Sequence, residues 1–386
     1  MRLTLLRRLA ATSVAILCLF AAVHARASRR PRYGGTLRVE MGTTVTSVDP
    51  SVPSSSFEED LARDEIYSLI YENGEPNADS GPFKISSWQP GKLLTLQANE
   101  QFREGRPFVD AIGIIMGRAA GDRILDLELN KTDLARLPAQ EARHAAERGV
   151  RISQSQPDEL LAIVFLEPRT AKVVGQALSL SIDRSSIVNF LLQKVGEPSG
   201  ALLPQWSSGT SFLFSTSADV PRAKELWSQI TPSRHIVLGY DSADPLEQSV
   251  AERIVVNAKE AGIPLSAAVS GSNKSANLDA RLVRVRMSET KPGPALNSLL
   301  QSFDSLGSGA FKMKALSDSA SSQDIYNRER EILNEFRIVP VVWLPQVYGL
   351  SVRVRNWTTP LPGKTWALAD VWLDTADNSS DVKDSE

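Results

Sequence analysis

The sequence predicts an α/β protein built from two domains, and three features of its 386 residues support this. Predicted strands and amphipathic helices alternate along most of the chain, which is the pattern of sheets covered by helices. One segment, residues 235–270, reads as strand, helix and strand in direct succession. A chain of this length with 42% hydrophobic residues can bury a large core and usually divides into two domains.

The first half of the sequence predicts short strands and two amphipathic helices. Residues 57–72 and 122–137 repeat apolar side chains at helical spacing, with charged residues on the opposite face. Alternation of apolar and polar residues, or an apolar run bounded by turn formers, predicts a strand instead. Such strands are expected at 34–41, on both sides of a turn within 81–102, and as a pair within 150–166.

The clearest unit of the second half is the segment 235–270. Its two apolar strands flank a helix with apolar residues at four-residue steps, so we expect a right-handed parallel crossover. The loop 241–244 then lies at the carboxyl end of the first strand, where open α/β sheets place ligands. The sequence also predicts two consecutive helices over 170–194, the second capped by Ser185 or Ser186, a helix opened by Pro221, and an apolar strand region over 338–352.

The first 27 residues have the layout of a secretory signal peptide. Arg2, Arg7 and Arg8 precede an uncharged apolar run over residues 9–23, and small residues suitable for cleavage follow. A membrane anchor is the alternative, but this run is shorter than the ~20 residues of a spanning helix. We therefore expect a periplasmic or extracellular protein that loses residues 1–27.

Charge and motifs argue against several functions. Four of the 43 basic residues lie in the signal peptide, so cleavage leaves 39 basic against 45 acidic residues. This balance argues against nucleic acid or an anionic membrane surface as a partner. The remaining chain has two histidines and no catalytic-triad, zinc, phosphate-loop or dinucleotide motif, so we expect neither an enzyme nor a cofactor. Catalysis by a carboxylate pair stays open, although no pair stands out.

Several segments occur in the order typical of one protein family. They are "YGGTLRVEMGTTVTSVDP", "GPFKISSWQPGKLLTLQANEQFREGRPFVDAI", "LDLELNKTDLARLP", "QALSLSIDRSSIVNFLLQKVGEPSGALLP", "PRAKELW" and "FRIVPVVWLPQVYG". Together they cover most of residues 33–357. They resemble the family 5 extracellular solute-binding proteins, which are the peptide- and nickel-binding receptors of ABC importers.

This resemblance implies a type II periplasmic-binding-protein architecture, in which two α/β lobes enclose a ligand and close by hinge motion. The first lobe is expected over 33–166 and 337–375 and the second over 167–336, followed by a disordered tail over 376–386. Hinges are expected near Phe165 and Arg337. The implied function is a monomeric receptor that delivers a peptide or similar small ligand to an ABC permease.

Residues 72–80 stand where the family has a long region, largely a small accessory lobe. Here the sequence offers only a dense cluster of turn formers, "ENGEPNADS". Such a cluster is typical of a short exposed loop that joins two core elements. We therefore expect a compact relative that has lost its accessory lobe.

The resemblance also points to four candidate ligand-binding residues. Ser54 and Ser56 align with first-lobe residues that meet the ligand backbone, and Tyr348 lies where the family places an aromatic over the cleft. Glu289 is nearest to an aspartate that holds the amino terminus of peptide ligands, but Lys291 beside it weakens the attraction for an amine. Each residue also has an alternative role: the serines could form a turn, Glu289 could belong to an exposed loop, and Tyr348 could pack in the core.

Two other classes of protein remain as alternatives to a transport receptor. The lost lobe and the altered acidic motif favour a degenerate scaffold that acts as a sensing or protein-interaction module. A secreted enzyme is the third class, and the absent motifs argue against it.

Overall fold

The computed structural model describes residues 30–71, 80–209, 213–230, 234–270, 278–305, 315–317 and 319–374. The chain forms two units, Met1–Arg32 and Tyr33–Glu386, and every described strand and helix belongs to the second. The predicted signal peptide, the predicted tail and all of the predicted seam except Ser80 lie outside the described residues. Among the described helices, none is long and apolar enough to cross a membrane.

Strands and helices alternate through the described residues, as the sequence predicts. The strands are β1 (Thr36–Glu40), β2 (Phe83–Gln89), β3 (Leu93–Ala98), β4 (Ala111–Ile115), β5 (Leu134–Leu137), β6 (Arg151–Gln154), β7 (Glu159–Phe165), β8 (Glu197–Pro198), β9 (Ile236–Tyr240), β10 (Leu265–Val269), β11 (Ala280–Arg286), β12 (Ile338–Leu344), β13 (Val347–Leu350), β14 (Val354–Arg355) and β15 (Trp372–Leu373). The helices are α1 (Phe57–Ile70), α2 (Ala120–Glu128), α3 (Ala142–Glu147), α4 (Pro168–Ser181), α5 (Arg184–Ser186), α6 (Gln205–Ser208), α7 (Val220–Ser228), α8 (Pro245–Glu260), α9 (Pro292–Phe303) and α10 (Ser322–Leu333).

The first of two large sheets has the strand order β2-β3-β4-β1-β5-β13-β6. Strand β1 pairs in parallel with β4 and β5, so the carboxyl ends of these three strands meet at one edge. The hairpin β2–β3 extends one side, and β13 joins β5 and β6 as an antiparallel strand on the other.

The second sheet has the order β10-β9-β11-β7-β12-β8. Its strand–helix–strand unit β9–α8–β10 pairs in parallel, which confirms the parallel crossover predicted over 235–270. Strand β7 is central and buried on both faces: Leu161 and Ile163 contribute to one core cluster, while Leu160 and Ala162 contribute to another. Its nearly continuous apolar sequence follows from this double burial.

The chain crosses between the two sheets twice, and the crossings lie side by side. Residues 155–158 connect β6 to β7, and residues 345–346 connect β12 back to β13. The amide of Ser155 donates to the carbonyl of Gln346 over 3.0 Å, and the amide of Gln346 donates to Ser155 Oγ over 2.9 Å. Since β7 and β12 belong to the second sheet, the crossings lie at these residues and not near Phe165 and Arg337. The extent of each lobe stays a prediction.

Two helical assignments from the sequence are wrong. The helix predicted over 122–137 ends near residue 128, because Asn130 takes a left-handed conformation (φ 53°) and residues 134–137 pair as β5. The helix predicted to be capped by Ser185 or Ser186 is instead capped by Asp183, whose carboxylate accepts from the Ser186 amide over 2.9 Å. It continues as a π-helical turn over Ile187–Leu191.

The residues on both sides of the predicted seam contact each other directly. The amide of Gly81 donates to the carbonyl of Ile70, the last residue of α1, over 3.0 Å. The side-chain amide of Asn99 donates to the carbonyl of Gly81 over 2.9 Å. These hydrogen bonds hold the end of α1 next to the start of β2, as a short connection between two core elements requires.

Replacing Gly81 by alanine is expected to destabilise the protein by about 1–3 kcal/mol, the usual effect of overpacking. A Cβ atom at residue 81 would lie 2.3 Å from the carbonyl carbon and oxygen of Ile70, and this backbone has little freedom to move. Urea unfolding of the variant measures the loss. Gly113→Ala in β4 is the matched control, because its Cβ would meet nothing within 4 Å. Equal stability of the two variants would contradict the close contact at the seam.

Candidate ligand-binding cleft

A cavity of about 500 Å³ opens where the strand ends of both sheets face each other. From the first sheet, Met41, Arg118 and Leu137 line it at or just after the carboxyl ends of β1, β4 and β5. From the second sheet, Asp244 in the loop after β9 and Arg284 in β11 complete the lining. The loop 241–244 thus reaches a cavity, as predicted from the β9–α8–β10 unit.

Three helices begin at this cavity, and the positive ends of their dipoles face it. Helix α1 is capped by Ser56, whose Oγ accepts from the amide of Glu59 over 3.2 Å. Helix α8 is capped by Asp244, whose Oδ1 accepts from the amide of Leu246 over 2.9 Å. Helix α2 follows Ala119, which has no side-chain acceptor to offer. The cleft therefore combines two capped helix ends with one uncapped end.

Five charged residues form a cleft ion cluster that joins the two sheets: Glu58, Arg136, Glu159, Asp244 and Arg284. Arg136 of β5 lies 2.6 Å from Glu159 of β7 and 3.7 Å from Glu58 of α1. Arg284 is ion-paired with Glu58 and lies 3.2 Å from Asp244 and 3.8 Å from Glu159. Each arginine thus pairs with carboxylates from both sides of the cleft.

The ion cluster changes the acidity of its own carboxylates in two directions. Burial would raise the pKa of Glu58, but Arg136 and Arg284 lower it to about 2. Burial raises the pKa of Glu159 to about 7, against the opposing effect of the same two arginines. Glu58 therefore stays ionised across the physiological pH range, and Glu159 takes up a proton more readily than Glu58 does.

Behind the cavity wall, a buried hydrogen-bond chain runs from Glu65 to the crossing segments. Tyr348 Oη lies 3.3 Å from Glu65 Oε1 and donates to Gln346 Oε1 over 2.6 Å. Gln346 Nε2 donates to Asp158 Oδ2 over 2.7 Å, and Trp366 Nε1 donates to Tyr348 Oη over 3.3 Å. Burial raises the pKa of Glu65 to about 7. A protonated Glu65 fits this chain, because the single proton of the tyrosine hydroxyl is already directed to Gln346.

The structure places the four candidate residues in different surroundings. Ser56 lines the cavity and caps α1, whereas Ser54 is half-buried in the preceding loop and does not belong to the described lining. Tyr348 is fully buried in β13, and Glu65 stands between it and the cavity. Glu289 is exposed in the loop after β11, also outside the described lining. Ligand contact by each of the four stays a prediction.

Sequence reasoning missed the charged residues that dominate the cleft. Glu159 opens the apolar strand "ELLAIVF", and Arg284 is one of three arginines that stand among apolar residues in "ARLVRVR". A charged residue inside an apolar strand needs a partner, because an unpaired buried charge is costly. That signal was present in the sequence, although the partners were not identifiable from it. Among the described residues, no group of three or more His, Cys, Asp or Glu side chains is arranged to hold a metal ion.

Two sheets, a pair of adjacent crossings and a cavity between the sheets define a two-lobed α/β architecture. Residues 36–317 match the family model described as bacterial extracellular solute-binding proteins, family 5 middle. Since this match covers most of the chain, the protein belongs to that family.

Curated relatives match only parts of the chain. The oligopeptide-binding protein AppA of Bacillus subtilis is 30% identical over 150 residues, which is 37% of this chain and 26% of AppA. DdpA of Escherichia coli, whose name is probable D,D-dipeptide-binding periplasmic protein, is 23% identical over 216 residues. This match covers 54% of this chain and 41% of DdpA. The chain therefore spans between about a quarter and two-fifths of the length of these relatives.

Solved structures show the same fold at low sequence identity. AppA of B. subtilis in complex with a nonapeptide matches with a TM-score of 0.60 and 18% identity, covering 84% of this chain and 70% of that one. DppA of Helicobacter pylori in complex with the peptide STSA matches with a TM-score of 0.68 and 13% identity, covering 89% and 99%. NikA of Staphylococcus aureus in complex with Ni(L-His)2 matches with a TM-score of 0.61 and 15% identity, covering 79% and 72%. The fold is thus the type II architecture of periplasmic binding proteins, as the resemblance implied.

Proposed function

We propose that this protein is an extracytoplasmic solute-binding receptor that delivers a peptide or a similar small ligand to an ABC permease. The observation that carries this proposal is the cavity between the two sheets, at the carboxyl ends of their parallel strands. Its volume of about 500 Å³ falls within the usual range of small-ligand sites, ~300–1,000 Å³. Family membership and the peptide-binding names of AppA and DdpA support the same function.

The proposed mechanism is a hinge closure of two lobes around the ligand. The crossings at 155–158 and 345–346 are the only backbone connections between the two sheets within the described residues, and they are hydrogen-bonded to each other. Rotations of the backbone there would move one sheet relative to the other, with some repacking of the hydrophobic cluster that contains residues of both sheets. Export through the N-terminal signal peptide and a monomeric state belong to the proposal, and it includes no catalytic step.

A ligand is expected to raise the melting temperature of purified residues 28–386 and to make the protein more compact. At a hundred times its dissociation constant, a ligand adds ~2.7 kcal/mol of stability, which corresponds to several degrees for a chain of this size. Differential scanning fluorimetry against peptides, sugars and metal chelates measures the first effect. Small-angle scattering with the compounds that respond measures the second. Cooperative melting without a shift for any class would contradict the receptor function.

A degenerate scaffold that acts as a sensing or protein-interaction module is the second candidate. The observation that favours it is the cleft ion cluster, whose arginines already bridge the two sides of the cleft. A ligand has to compete with these pairs or fit beside them. If no small molecule shifts the melting temperature while a membrane or periplasmic protein co-purifies with residues 28–386 at fixed stoichiometry, the scaffold function is favoured.

A further inference from the structure

Arg123 of α2 is a buried arginine that lines the cavity, and among the described residues no carboxylate forms an ion pair with it. The residue is 7% exposed, and one guanidinium nitrogen donates to the carbonyl of Arg136. Its Nε has no hydrogen-bond partner among the described residues. Gly42 provides room for the guanidinium group, because a Cβ atom there would lie 2.7 Å from Arg123 Nη2.

The other arginines of the cavity have ion-pair partners. Of the described residues that line it, four are arginines. Arg118 lies 2.6 Å from Asp126, and Arg136 and Arg284 belong to the cleft ion cluster. Arg123 has no carboxylate oxygen within 4 Å in the part of the chain that the structure describes. Burial accordingly lowers its pKa. Glu58, Glu40 and Glu141 oppose this lowering of the pKa from beyond ion-pair distance, so the guanidinium group has electrostatic support but no direct carboxylate partner.

The uncapped amino terminus of α2 lies at the same part of the cavity as Arg123. The helix starts at Ala120 without a side-chain cap, and Arg118, Ala119 and Ala120 line the cavity with Arg123. Amide groups in the first turn of a helix and a guanidinium fork both donate to oxyanions. Both features belong to α2, and both favour a negatively charged group at one spot in the cleft.

We propose that this protein selects ligands that carry a carboxylate, and that Arg123 together with the first turn of α2 binds this carboxylate. The inference rests on the proposed receptor function and names its substrate class. A carboxylate fits better than a phosphate because Glu58 and Asp244 line the same cavity. These acids repel a group that carries close to two negative charges more strongly than a group that carries one.

The test compares acids with their uncharged analogues at constant ionic strength. The probes are trialanine, trialanine amide, glutarate and inorganic phosphate, with isothermal titration and thermal shift as the measurements. We expect wild-type protein to bind at least one carboxylate probe, and to bind trialanine amide and phosphate more weakly than that probe. Because Arg123→Gln loses a charge-assisted hydrogen bond, we expect this variant to bind the acid about 10- to 150-fold more weakly than wild type. Arg143→Gln on α3 removes the same charge from an exposed position and is expected to bind like wild type.

A second variant covers the case in which Arg123→Gln does not fold. Gly42→Ala keeps the charge but displaces the guanidinium group, and it is expected to weaken binding of the acid as well. Equal affinity of the acid for wild type and for both variants would overturn the carboxylate site. A sugar that stabilises the protein while no carboxylate does would also overturn it, and would leave the receptor function standing. Absence of any response, to these probes and to the wider ligand set, would overturn both.

Discussion

Replacing Arg284 by glutamine is expected to lower the free energy of unfolding by about 3–5 kcal/mol, as when one member of a buried ion cluster is removed. The Arg284 side chain is 7% exposed and contacts Glu58, Asp244 and Glu159. Its guanidinium group also lies 4.5 Å from the centre of the Phe57 ring, a cation–π contact. Without it, Glu58 and Glu159 keep Arg136 as an ion-pair partner, whereas Asp244 loses the one ion-pair partner it has among the described residues.

Denaturant unfolding at pH 7.5 measures this loss, and Arg222→Gln is its matched control. Arg222 forms an ion pair with Glu225 on the surface of α7, where such pairs contribute only ~0–1 kcal/mol. A further check uses pH, because protonation of the carboxylates that lose Arg284 relieves their repulsion. The destabilisation by Arg284→Gln should therefore shrink as the pH falls. A loss below 1 kcal/mol at pH 7.5 would mean that the ion cluster does not hold the two sides of the cleft together.

Much of the fold was predictable because its signals are local. Ser56 followed by three acids and an apolar face specifies the start of α1, and Pro245 with Asp244 before it specifies the start of α8. The segment 134–137 was assigned wrongly for the opposite reason. Its four residues continue the helical spacing of α2, and they become a strand only through pairing with β1 and β13. Tertiary contacts of this kind override a local pattern.

The candidate site was predictable in position but not in composition. Its location followed from the loop 241–244, since ligands bind at the carboxyl ends of parallel strands. The ion cluster did not, because Glu58 and Arg284 are 226 positions apart in the chain and no local pattern pairs them. Tyr348 illustrates the same limit. Its place in the chain suggested an aromatic side chain over the cleft; the structure buries it completely behind Glu65, and its contact with a ligand stays a prediction.

Glu247 is expected to make the protein less stable as the pH rises, and Glu247→Gln should remove this loss. The residue is 4% exposed in the first turn of α8, and its Oε2 accepts from the amide of Asp241 over 2.9 Å. Burial raises its pKa to about 8; the Asp241 hydrogen bond opposes the shift, and the Asp244 carboxylate adds to it. Glutamine preserves the size and the acceptor of a protonated Glu247 but does not ionise. The exposed Glu225→Gln is the control for the change in net charge.

The sign of this effect follows from proton binding. Between pH 4.5, the ordinary pKa of a glutamate, and about pH 8, the folded protein holds a proton on Glu247 that the unfolded chain has released, so each pH unit weakens folding by up to ~1.4 kcal/mol. Burial also raises the pKa of Glu65, Glu159 and Glu329 to about 7, and these groups add their own slopes to the wild-type curve. These three glutamates are present in both proteins. Subtracting the free energy of unfolding of the wild type from that of Glu247→Gln at each pH therefore leaves the contribution of Glu247. This difference should be near zero at pH 4.5, grow up to pH 8, and level off at no more than about 5 kcal/mol by pH 9. A difference that stays flat across this range would show that Glu247 ionises in the folded protein as readily as in the unfolded chain.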